Sequence, residues 1–95
     1  MAKNNRNIAL AWYRQDQWQL LLDYSTDSDK LEHTYQEWLE HAEEKVNDMD
    51  TDGINVIKVG INIEEMKKWC ERHKKPIDGH TRSEYAVFLA QNNLN

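Results

Sequence analysis

Thr34-Tyr-Gln-Glu-Trp-Leu-Glu-His-Ala-Glu-Glu-Lys-Val-Asn-Asp-Met49 sits at the middle of a 95-residue chain, and its reading decides the fold. With Leu31 just ahead of it, the apolar residues are Tyr35, Trp38, Leu39, Ala42, Val46 and Met49. Their spacing alternates threes and fours, the pattern of a helix with one buried stripe. The residues between them are polar and mostly acidic. The spacing predicts a long helix over Ser28–Asp52, with Gly53 ending it because glycine tolerates the left-handed conformation of a C-cap. Thr34-x-x-Glu37 is a capping-box pattern that places a kink inside that span.

Working outward, Ile8 to Tyr13 alternates as a strand, with Ile8, Leu10 and Trp12 on one face and Ala9, Ala11 and Tyr13 on the other. The small residues of the second face leave room for a helix. Arg14 to Asp23 reads as a short helix buried through Trp18, Leu21 and Leu22. Beyond Gly53, Ile54 to Ile61 is the second strand, with Ile57, Val59 and Ile61 on its apolar face. Asn62-x-x-Glu65 opens a third helix striped by Ile63, Met66, Trp69 and Cys70, which Pro76 closes. A last helix, capped by Asp78 or Thr81, buries Tyr85, Phe88 and Leu89.

The expected fold is α+β and helix-dominated, in the order β-α-α-β-α-α, with four helices covering a two-stranded sheet. Two helices between the strands reverse the chain twice, so the strands are expected to run antiparallel. The chain forms one domain, 1–95, with 1–7 and 92–95 frayed. The expected core is Leu10, Trp18, Leu22, Tyr35, Trp38, Leu39, Val46, Ile57, Val59, Ile61, Met66, Trp69, Tyr85 and Phe88.

The net charge of −5 is unevenly spread. Residues 23–52 carry −9 and residues 53–82 carry +3. An acidic central helix and a basic C-terminal half suggest complementarity within the chain or between copies. A single cysteine, Cys70, forms no internal disulfide and fits a reducing compartment. No signal-peptide core or membrane-length apolar run is present, so the expected location is the cytoplasm.

Trp12-Tyr-Arg14, Tyr35-x-x-Trp-Leu39, Lys58-Val59 and Trp69-Cys70 before an Arg-bearing last helix resemble a family of small bacterial proteins with no assigned activity. The resemblance covers about residues 10–90. It implies a bacterial, single-domain, cytosolic protein and transfers no catalytic residue.

Several clusters bear on chemistry. Asp48-x-Asp50-x-Asp52-Gly53 has the alternate carboxylates of the first half of a calcium loop, but the twelfth position, which should be a bidentate Glu, is Val59. On a helix, His33, Glu37 and His41 would share one face and could hold zinc. Cys70 and His73 could form a thiolate pair, yet Cys70 lies on an apolar stripe, where cysteine acts as a small hydrophobe. Lys67, Lys68, Arg72 and Lys75, with Lys74 and Arg82 nearby, form a basic patch. The acidic total and the absence of a reading motif turn that patch toward an acidic protein surface rather than nucleic acid. Gly60-Ile-Asn62 is a generic turn and no phosphate loop.

The sequence thus favours a non-enzymatic interaction or regulatory protein that contacts a protein partner or itself as a homodimer, with no catalytic residue and no membrane or nucleic-acid partner. The alternative is a metal-binding protein, taking calcium at Asp48, Asp50 and Asp52 or zinc at His33, Glu37 and His41.

Overall fold

In a computed structural model that describes residues 6–93, strand β1 (Asn7–Trp12) pairs with strand β2 (Asn55–Gly60). Asn7 lies opposite Asn55 and Trp12 opposite Gly60, and the two strands run parallel. This corrects the antiparallel sheet expected from the sequence. The reason is that only one of the intervening helices traverses the sheet. Helix α1 (Trp18–Tyr24) has two turns and rests on α3 (Ile63–Arg72), not on the strands. Helix α2 (Tyr35–Thr51) has 17 residues and lies along β2. At about 1.5 Å per residue it spans about 25 Å, enough to return the chain past a strand of about 20 Å. One full return makes a parallel crossover. Among the described residues the rest of the expected class holds: four helices and two strands, dominated by helix, with α4 (Gly79–Asn93) last.

Local chemistry sets the helix ends. The Thr34 hydroxyl accepts a hydrogen bond from the Glu37 amide at 3.1 Å, so α2 begins at Tyr35 and not at Ser28. Ser28–Lys30 is a single 3-10 turn ahead of it. The Asn62 side-chain oxygen Oδ1 accepts from the Glu65 amide at 3.0 Å and opens α3 in the same way. At the far end of α2, Gly53 has φ of +80°. The Gly53 amide donates to Asp50 and the Ile54 amide to Met49, closing a Schellman motif.

Helix α3 closes with the same pair of bonds, Lys74 to Glu71 and Lys75 to Cys70, but the left-handed position is Lys74, with φ of +57°. The helix therefore stops before Pro76 reaches it. A side chain in that conformation is strained by about 1 kcal/mol relative to glycine. Lys74→Gly is accordingly expected to raise the unfolding free energy by about 0.5–1 kcal/mol in urea titration, while Lys74→Ala, which keeps the strain, gives no gain.

The N-terminal stretch expected to fray is ordered from Arg6 onward, where the Arg6 carbonyl accepts from the Asn55 amide at 2.8 Å. Residues 1–5 and 94–95 of the expected frayed ends lie outside the described residues.

The whole α3 stripe of Ile63, Met66, Trp69 and Cys70 is buried, together with Tyr13, Trp18, Leu21, Val59, Ile61, Ile77, Tyr85 and Ala86. Leu10, Leu22, Tyr35, Trp38, Leu39, Val46 and Ile57, all expected in the core, are half-buried. The molecule is only 19 Å thick in its thinnest direction, which leaves few positions that can be enclosed on all sides. Phe88 departs furthest from expectation, at 41% exposed. Helix α4 makes its most extensive contact with β1, where Ala9 and Ala11 face the core. Close approach there favours the small Ala86, which is fully buried. The buried side of α4 is thus Thr81, Arg82, Tyr85, Ala86, Leu89 and Ala90, and Phe88 turns outward. No described helix is long and apolar enough to cross a membrane.

Candidate functional site

Helices α3 and α4 meet side by side and leave a groove of about 500 Å³ between them. Trp69 forms its floor. Phe88 lies 5.7 Å from Trp69 and 6.1 Å from Tyr85, measured between ring centroids, and the His73 ring sits 4.6 Å from Trp69. From α4, Glu84, Val87, Phe88 and Gln91 reach the groove at spacings of three and four, one ridge of a helix. Val87 is 43% and Phe88 41% exposed, and they are the exposed large apolar side chains among the described residues. The rim is polar. Glu84 lies between Lys75 at 2.8 Å and His80 at 3.5 Å. The hydrogen bond from Lys75 holds the Glu84 carboxyl below the usual carboxylate range, so it is a paired anion and not a poised base.

The helices are held in this arrangement by a polar knot beneath them. Arg82, 7% exposed, reaches from α4 to Asp27 through two bonds of 2.8 and 3.0 Å and to the Ser25 hydroxyl at 3.2 Å. The same Asp27 carboxylate accepts from the Gly79 amide at the start of α4. The Thr26 amide and hydroxyl both donate to the Ile77 carbonyl, pinning the α3–α4 connection. Asp78 caps α4 by accepting from the Thr81 amide at 3.0 Å. The hydrogen bonds from Arg82 draw the Asp27 carboxyl below its ordinary range. Burial works against the Arg82 charge, but Asp27 outweighs it and the guanidinium is held more firmly than usual. Arg82 is therefore no member of the surface basic patch in which the sequence placed it.

Burial pushes the Tyr13 hydroxyl, beside Arg82, up to about 12. A raised phenol contributes stability that is complete below its unfolded value near pH 10 and is lost as pH climbs toward 12. Across that window the parent is expected to lose about 2–3 kcal/mol more than Tyr13→Phe, measured by urea titration at each pH.

The other expected sites are placed as follows. Asp48 and Asp50 are exposed residues within α2, and Asp52 is its C-cap. Residues two apart on a helix point about 200° apart, so these carboxylates do not converge as they would in a loop. His33 precedes the Thr34 cap and so does not share a helix face with Glu37 and His41. His41 instead meets Glu32 at 2.8 Å. Among the described residues, no group of three or more His, Cys, Asp or Glu side chains is arranged to hold a metal ion. Cys70 is 2% exposed, and burial raises its thiol, which disfavours the thiolate. In the basic patch, Lys67 pairs with Glu71 at 2.7 Å, Lys68 with Glu65 at 3.9 Å, and Lys75 with Glu84. Arg72 and Lys74 make no ion pair among the described residues. The patch is therefore divided: Lys67 leans over the Tyr24 ring of α1, and Lys75 lines the groove.

The sequence singled out two of the groove's polar residues for other reasons, Lys75 in a basic patch and His73 beside Cys70, and assigned Trp69 and Phe88 to the core. The missed signal was helical phase. Arg82 and Leu89 share the side of Tyr85, whereas Phe88 shares the side of Glu84 and Gln91. Comparison with known proteins adds no relative: no family model, curated protein or solved structure matches the chain.

Proposed function

We propose that this chain is a small, non-enzymatic, cytoplasmic protein-interaction module, and that the α3–α4 groove is its contact surface. The observation that carries the reading is Val87 and Phe88, held outside the core on a floor formed by Trp69. An aromatic centre with a charged rim is the composition of protein contact patches, and aromatic anchors dominate their energetics. Paired Glu84, raised Cys70 and the absence of a hydrogen-bonded nucleophile–base pair among the described residues favour recognition over catalysis. A cytoplasmic location is supported by the single, buried cysteine.

A photo-crosslinking residue placed at Val87 tests this in the source cell, with one at the exposed Gln15, outside both the groove and α2, as the control. The expected result is a discrete crosslinked protein from position 87 that position 15 does not give. Position 87 yielding no product above the control removes the reading.

A further inference from the structure

We infer that the groove's partner is α2 of a second copy, docked head to tail; this rests on the reading of the groove as a protein-binding surface. Two unsatisfied surfaces of opposite character lie on the same chain. The first is α2, where Glu37, Glu40, Glu43, Glu44, Asp48 and Asp50 are all exposed and none makes an ion pair among the described residues. Lys45 is the one lysine or arginine in that helix. Like charges three and four apart repel each other, and a cationic surface relieves that repulsion. Along one ridge of α2, Leu39 and Val46 alternate with Glu43 and Asp50, at offsets of four, seven and eleven. Leu39 and Val46 are half-buried, part of the apolar stripe that α2 lays along β2, and each leaves part of its side chain uncovered. The ridge thus offers the uncovered parts of two apolar side chains flanked by acids.

The second surface is the groove, lined by the apolar Trp69, Val87 and Phe88, with Lys75 on its rim sharing Glu84. Arg72 and Lys74 do not line it; they are exposed at the end of α3, next in sequence to the lining residues His73 and Lys75, without ion-pair partners among the described residues. Apolar side chains meet apolar lining and acids meet cations only if the two surfaces face each other. Within one copy they do not, since α2 packs along β2 and makes no extensive contact with α3 or α4. The complementarity is therefore satisfied between copies. Because the two surfaces differ, the contact is heterologous: each copy offers one groove and one α2, and copies add in a row unless the rotation closes a ring.

A heterologous contact is tested by complementation. Phe88→Asp spoils the groove and keeps α2. The double variant Glu40→Lys/Glu43→Lys spoils α2 and keeps the groove. In sedimentation velocity at tens to hundreds of micromolar, the parent is expected to show concentration-dependent assembly at about 20 mM NaCl, weakened about tenfold or more at about 500 mM. Each variant alone is expected to be monomeric, and an equimolar mixture to form a heterodimer that grows no further. Circular dichroism confirms that both variants are folded before mixing. A parent that stays monomeric at low salt, or variants that fail to complement, overturns the proposal. If the purified parent is monomeric while Val87 captures a different protein in cells, self-docking is overturned and the groove remains a binding surface. If neither occurs, both readings fail.

Discussion

Arg82→Ala is expected to lower the unfolding free energy by about 3–5 kcal/mol, the range for removing one partner from a buried ion pair. The loss has two parts. Asp27, with a side chain 18% exposed, keeps its charge but loses two hydrogen bonds. The segments it joins, 55 residues apart in sequence, lose the tie that fixes the start of α4. Arg82→Lys does not rescue this, because an ammonium cannot bond both carboxylate oxygens in the forked geometry while also reaching Ser25. In a double-mutant cycle, Asp27→Asn and Arg82→Ala are expected to be strongly non-additive. The pH dependence has a definite sign. The Asp27 carboxyl is lowered in the folded state, so its contribution is complete above the ordinary carboxylate value of about 4 and is lost as pH falls through the depressed one. Urea midpoints measured down the acid limb are expected to converge for parent and Asp27→Asn.

Trp18→Ala is expected to cost about 3–5 kcal/mol, as for a large aromatic removed from a core. Trp18 is 5% exposed and stands at the junction of Tyr13, Tyr35 and Trp38, with ring centroids 6.1, 6.2 and 5.8 Å away. These contacts tie the end of β1, the start of α1 and the first turn of α2 together, so its loss opens three elements at once. Trp38 packs on Trp12 at 5.2 Å and Tyr13 at 5.1 Å but is only half-buried. Trp38→Ala is therefore expected to cost less, about 1.5–3 kcal/mol, although its mid-stripe position in the sequence predicts a core residue. Equal losses for the two variants would contradict this picture of the aromatic cluster.

The parts of the fold that could be read in the sequence are those fixed by chemistry within a few residues. Asn62 with Glu65 marks a helix start because the bond it makes is local; Thr34 with Glu37 does the same, where the pattern in sequence predicts only a kink in a helix begun at Ser28. Gly53 marks a stop for the same reason. The stripe Ile63, Met66, Trp69 and Cys70 is buried as its periodicity demands. What depended on distant partners was not legible. Strand direction follows from α1 resting on α3 rather than on the sheet, which no local pattern encodes. Arg82 reads as surface charge until Asp27, far away in sequence, is brought to it. Phe88 reads as core because aromatic residues usually are, but Ala9, Ala11 and Ala86 draw α4 against β1 in a phase that leaves Phe88 outside. The groove therefore came from a conflict between composition and phase that only tertiary packing resolves.

The central claim is that Phe88 is a contact residue and not a misplaced core residue. The most direct measurement is the crosslinking yield from Val87 in a Phe88→Asp chain whose unfolding free energy is determined in parallel. For an exposed aromatic the stability is expected to stay within about 1 kcal/mol of the parent, while the crosslink from position 87 disappears. A stability loss of about 3 kcal/mol or more, as for a core phenylalanine, or an undiminished crosslink in the folded variant, would contradict the account.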